Sequence, residues 1–126
     1  MRDLSEAKGE VSLAEEALAD FKHLENVSVR RQYVTLYFSL YHASRAVLLS
    51  RSMAPKTHSG QDSLVHNALH RQEKLLTEEE VALYSKLRTR REQADYETDF
   101  LGTEEELNEI APKAESLVEK LVSIVR

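Results

Sequence analysis

Leu4, Ala7, Val11, Ala14, Leu18 and Phe21 recur at alternating spacings of three and four residues, with Glu6, Lys8, Glu10, Glu15, Asp20 and Lys22 between them. That period puts the apolar side chains on one stripe and predicts a long amphipathic first helix. From about Val29 to Met53 the pattern changes. Tyr33, Val34, Leu36, Tyr37, Phe38, Leu40, Tyr41, Val47, Leu48 and Leu49 surround most of a helical circumference, so this second helix is expected to sit centrally and be covered on several sides. Met53 to Gly60 must interrupt it, because Pro55 removes a backbone donor and biases Ala54 away from helical angles. A shorter third helix, about Gln61 to Arg71, carries only the narrow stripe Leu64, Val65, Ala68 and Leu69.

Thr77-Glu78-Glu79-Glu80 reads as a capping box: the threonine oxygen accepts from the backbone of Glu80, whose carboxylate reaches back. The acids also suit the positive end of a helix dipole, so a fourth helix is expected from Glu78 to about Tyr96. Thr103-Glu104-Glu105-Glu106 repeats the signal before a final stripe of Leu107, Ile110, Ala114, Leu117, Leu121 and Ile124. Pro112 is expected to bend this fifth helix or delay its regular start. Short connections between these elements predict an all-α fold, an up-and-down antiparallel bundle of four long helices plus one short one, as a single domain over residues 1–126.

Composition narrows the chemistry. With no cysteine among 126 residues, disulfides, thiolate metal sites and cysteine nucleophiles are excluded, and a reducing cytoplasm is the expected setting. Neither a secretory leader nor a stretch long enough to span a membrane is read from the sequence. A net charge of −5 argues against a general basic coat for duplex binding while leaving room for a local basic groove.

Three polar clusters stand out. On the second helix Tyr37, Tyr41, His42 and Arg45 interrupt an apolar surface, and burying the cation and imidazole requires acids, carbonyls or a ligand as partners. In the loop, Lys56, Thr57, His58 and Ser59 precede a helix start, where backbone donors, a lysine and hydroxyls suit an anion; ordinary capping would explain the same residues. On the fourth helix Arg91 and Asp95 are four residues apart on one face with Arg88 a turn earlier, which is either a ligand-shaping group or an ordinary intrahelical ion pair. His66 and His70 share a helical spacing that could hold a metal, but no acid motif accompanies them, so no metal or cofactor is expected and the pair reads as surface decoration.

The segments Tyr37-Phe38-Ser39-Leu40-Tyr41-His42-Ala43-Ser44-Arg45-Ala46, Pro55-Lys56-Thr57-His58-Ser59-Gly60 and Arg91-Glu92-Gln93-Ala94-Asp95-Tyr96 together resemble a small stand-alone branch of the HEPN family, named for higher eukaryotes and prokaryotes nucleotide-binding. The resemblance implies a helical bundle that is frequently a homodimer and often works beside a minimal nucleotidyltransferase as a toxin–antitoxin pair. Many members are metal-independent ribonucleases whose signature is an Arg followed, after four to six intervening residues, by a His. The matching stretch here offers Arg90 or Arg91, but Asp95 and Tyr96 stand where the histidine would be sought. An ionised aspartate repels a phosphate and cannot replace an imidazole near neutral pH. Arg51 and His58 meet the spacing only formally, with Pro55 between them.

The leading expectation is a nucleotide- or RNA-binding protein in which Tyr41, Arg45, Lys56, Thr57, His58 and Arg88 contact the ligand, with His42, Arg91, Asp95 and Tyr96 the candidates for any catalytic step. An endoribonuclease in which His42 or His58 approaches Arg91 from elsewhere in the bundle, and a purely structural interaction module, are the alternatives.

Overall fold

The computed structural model describes residues 4–126. Five α-helices follow one another, α1 (Ser5–Phe21), α2 (Val29–Ser50), α3 (His58–Leu64), α4 (Glu78–Tyr96) and α5 (Glu104–Val125), and α3 runs on into a π-helical stretch over Val65–Gln72. The four long helices form the all-α antiparallel bundle expected from the sequence. Within the described residues no helix is long and apolar enough to cross a membrane.

α2 is the axis of the core. Tyr33, Leu36, Tyr37, Leu40, Ala43, Ala46, Val47 and Leu48 are all fully buried, and the helix packs against α1, α4 and α5. A helix apolar around its whole girth needs such cover on several sides. α1 contributes Ala7, Val11, Ala14 and Leu18, and α5 contributes Leu107, Ala114, Leu117, Val118, Leu121 and Val122 to the same cluster.

Several boundaries differ from expectation for identifiable reasons. α2 stops at Ser50, before Met53, because Ser52 takes a left-handed φ of 62° while its N–H donates to Leu49 O and that of Met53 to Leu48 O, a Schellman closure that ends the helix ahead of Pro55. α3 starts at His58, three residues earlier than the apolar stripe suggests, since Thr57 Oγ1 accepts from Gly60 N as its N-cap. Pro112 lies inside α5, which is assigned as helix without interruption from Glu104 to Val125. Both threonine caps form: Thr77 and Glu80 close the complete box, and Thr103 Oγ1 accepts from Glu106 N.

A polar clasp ties α2, α4 and α5 together at one end. Arg90 Nε and an Nη donate to the two oxygens of Glu106 at 2.9 and 3.0 Å, Lys86 reaches the same carboxylate at 3.0 Å, and the Tyr33 hydroxyl donates to it. These partners, Arg90 above all, hold the Glu106 carboxyl down to about 2 despite the opposing effect of burial. Nearby, Gly102 comes so close to Tyr33 that an added Cβ would lie 2.7 Å from its Cε2, so the turn between α4 and α5 requires the absent side chain.

Candidate functional site

α2 turns Tyr37, Phe38, Tyr41 and His42 toward the end of α4 and the start of α3, where a layer of rings forms. His58 stacks on Tyr41 at 4.5 Å between centroids, and its ring lies 5.9 Å from Tyr37 and 6.0 Å from Phe38. From α4, the Arg91 guanidinium sits 5.8 Å above Tyr37, 5.6 Å above Phe38 and 5.6 Å from Tyr96. His58 and Arg91 therefore share two aromatic platforms although 32 positions of sequence separate them. Cation–π contact of this kind uses the charge of a guanidinium without using its N–H donors, which stay free for other partners.

The arginine uses little of that capacity. Arg91 Nε lies 3.1 Å from Asp95, but off the axis of a hydrogen bond, and no other described group accepts from it, although its side chain is only 13% exposed. Asp95 is drawn off further by Arg31 at 3.2 Å. Arg88 is held between Asp62 at 3.0 Å and Glu92 at 3.3 Å. Desolvation first, and then the charges of Arg91 and Arg88, keep the His58 imidazole below its usual range, so it is neutral at pH 7. Its Nδ1 is 2.7 Å from the Tyr37 hydroxyl.

His42 and Arg45 form a separate network. His42 Nδ1 lies 2.5 Å from Glu10 and Arg45 Nε 3.4 Å from the same carboxylate, while an Arg45 Nη donates to Pro55 O at 2.6 Å. These groups satisfy one another and pin the 51–57 loop to α2 and α1. His42 still touches the ring layer, 6.0 Å from Phe38. Thr57 caps α3, and Lys56 is exposed with no ion partner among the described residues. Of the two arginines that could match the family signature, Arg90 is committed to Glu106 and only Arg91 faces the rings. Arg51 pairs with Glu73, away from His58. His66 and His70 are half-buried in the π-helical stretch, where His66 meets Ser85 at 3.0 Å and His70 meets Leu76 O at 2.8 Å. Among the described residues, no group of three or more His, Asp or Glu is placed to hold a metal ion.

Sequence reading missed Glu10, Arg31, Asp62 and Gln61. Glu10 had a signal, since it lies three residues after Ala7 and four before Ala14, an acid on the apolar stripe of α1. Gln61, wholly buried at the foot of α3, had none.

Fold and site together define an antiparallel helical bundle with an arginine–histidine pair on an aromatic face. The HEPN domain model matches residues 10–125, and the chain belongs to the HEPN family. It is also 32% identical over 116 residues, 88% of this chain and 82% of the other, to the protein named "Putative toxin MJ0605" of Methanocaldococcus jannaschii.

Proposed function

We propose that this HEPN protein binds single-stranded RNA or nucleotide phosphate at the face formed by His58, Arg91, Tyr41, Phe38 and Tyr96, and that it acts as a toxin-type protein. The observation that carries the reading is Arg91: a guanidinium that is 13% exposed, 5.6–5.8 Å from the centres of three rings and without a well-formed hydrogen bond. The Arg91 Nη groups make no hydrogen bond to the described residues, and a phosphate oxygen arriving at that edge would accept charge-assisted ones. Phe38, Tyr41 and the 76% exposed ring of Tyr96 offer faces on which unpaired bases can stack. Lys56, exposed on the adjoining loop, adds attraction for a phosphate backbone.

The name of the M. jannaschii relative supports the toxin assignment. A second copy of the chain, or a nucleotidyltransferase acting as antitoxin, would cover the rim marked by Tyr96 and Leu101, which is 65% exposed. A second reading, RNA cleavage, is favoured by one observation: His58 reaches the same rings as Arg91, supplying from α3 the imidazole that α4 lacks. Filter binding with ATP and with a short single-stranded RNA tests the primary reading. Saturable binding that weakens as salt rises is expected, and no binding of either at millimolar concentration overturns it.

A further inference from the structure

Arg91 shares its corner of the bundle with two more guanidiniums. Arg30 and Arg31, in the first turn of α2, both reach the last turn of α4. Arg30 is spent there: it donates to the carbonyls of Ala94, Glu97 and Thr98 at 2.9–3.0 Å and lies 5.4 Å from the centre of the Phe100 ring. Arg31 uses a single terminal nitrogen, which donates to Ala94 O at 3.1 Å and lies 3.2 Å from Asp95 Oδ1. Asp95 turns its other oxygen to Arg91 Nε at 3.1 Å. Among the described residues, these three guanidiniums therefore have one carboxylate between them within ion-pair distance.

That excess of positive charge is local. Arg88 has two acids, Asp62 and Glu92, Arg90 has Glu106, and Arg45 has Glu10 and the Pro55 carbonyl. Arg31 is also accessible, with 48% of its side chain in water, and its Nε and second Nη make no hydrogen bond to the described residues. Arg31, Thr35 and Phe38 follow one another at steps of four and three residues, which places them on one line of α2. At the rise of an α-helix, Arg31 lies about 10 Å along that line from the Phe38 platform. The exposed ring of Tyr96 follows Asp95 in the chain and is 5.6 Å from Arg91. Two cations on either side of one carboxylate are spaced as neighbouring charges, and so are successive phosphates of a strand.

We propose that Arg31 holds a second phosphate beside the one at Arg91, so that the site takes a single strand with successive phosphates and not a mononucleotide. This rests on the binding reading above and names its ligand class more closely. A lone phosphate is met by Arg91 and His58; a further half-exposed arginine, sharing its only acid with Arg91, adds a contact that only a longer ligand can use. The strand then runs from His58 past Phe38 and Arg91 to Arg31, with Tyr41 and Tyr96 as faces for its bases. The opposite direction along α2 is closed. There the same line continues through His42 and Arg45, whose carboxylate partner Glu10 already occupies them and repels a phosphate. Asp95 competes with the ligand for both arginines, and each loses an acid's hold as its phosphate arrives.

The test is calorimetry of the full-length protein with AMP, ADP and the 5′-phosphorylated ribodinucleotide pApA. The dinucleotide is expected to bind about tenfold or more tighter than AMP, the effect of one added charge-assisted contact. ADP should fall short of it, because its two phosphates share a bridging oxygen and lie too close together to straddle Asp95. Arg31→Met, which keeps the aliphatic stem, should bring the ratio of pApA to AMP affinity close to one. On a short single-stranded RNA it should also reduce the slope of log affinity against log salt by about 0.7, the loss of one phosphate contact. Equal losses for AMP and pApA would mean that Arg31 acts on Arg91 through Asp95, and would overturn the proposal. So would ADP binding as tightly as pApA, or an unchanged salt slope. The wild-type series alone decides if the variant does not fold. Wild-type protein that binds AMP with no gain for pApA counts against the second phosphate only, whereas no binding of any of these ligands or of the RNA defeats the binding reading itself.

Discussion

Arg90 and Arg91 are neighbours in sequence with opposite partners, and replacing each should separate stability from binding. Arg90→Met keeps the aliphatic stem against its surroundings and removes the fork that holds both oxygens of Glu106. The strength of that grip is reflected in the carboxyl, whose pKa drops from 4.5 to about 2, mainly through Arg90. At about 1.4 kcal/mol per tenfold change in proton affinity, the full drop corresponds to about 3 kcal/mol. Glu106 keeps 22% of its side chain in water, and it would retain Lys86 and Tyr33, so screening and the surviving partners reduce the expected loss to about 1–2 kcal/mol at neutral pH. A depressed carboxylate stabilises the fold above its unfolded value and loses that contribution as pH falls through the folded one. The wild-type advantage should therefore be complete above pH 4.5 and shrink as pH falls toward about 2. Urea unfolding of both proteins, near neutral pH and in steps into acid, measures this. A neutral-pH difference below about 0.5 kcal/mol, or one that does not shrink with acid, refutes the reasoning.

Gly102→Ala should destabilise by about 1–3 kcal/mol, because the new methyl meets the rings of Tyr33 and Phe100; a melting temperature equal to wild type would contradict the close approach. Glu10→Gln should cost about 1–3 kcal/mol by unpairing His42 and Arg45 while leaving RNA affinity unchanged, so a loss of binding with the fold intact would return those residues to the site. The lowered His58 pKa means that the unfolded chain takes up its proton first. This group's contribution to stability is whole above about pH 6.5 and falls as pH drops through 6.5 toward the folded value, and His58→Gln should flatten that part of the stability curve.

The sequence carries the helices plainly because their signals are local. The three-and-four spacing of Leu4 to Phe21, the apolar girth of α2 and the two threonine caps each depend on residues within a turn or two. The end of α2 was harder to place, since it depends on Ser52 adopting a left-handed conformation that serine rarely takes. The π-helical turn at Val65–Gln72 has no compositional mark. At the site, residue types were legible and partners were not. Arg91, His58 and Tyr41 announce polar chemistry, but whether a cation meets Glu106, Glu10 or Asp95 and a set of rings depends on which helices pack together, and one chain's spacing does not contain that. That His58 of α3 shares the rings of Tyr37 and Phe38 with Arg91 of α4 depends on the packing of two helices, which spacing along the chain does not contain.

The central claim is that His58 and Arg91 bind one phosphate group together. A double-mutant cycle on affinity for a short single-stranded RNA tests it, with Arg91→Ala, His58→Ala and the pair, each confirmed folded by circular dichroism. Each single change should weaken binding about tenfold or more, and the double variant should lose clearly less than the two losses combined, as expected for groups that share a ligand. Losses that simply add, or wild-type affinity in Arg91→Ala, would contradict the account.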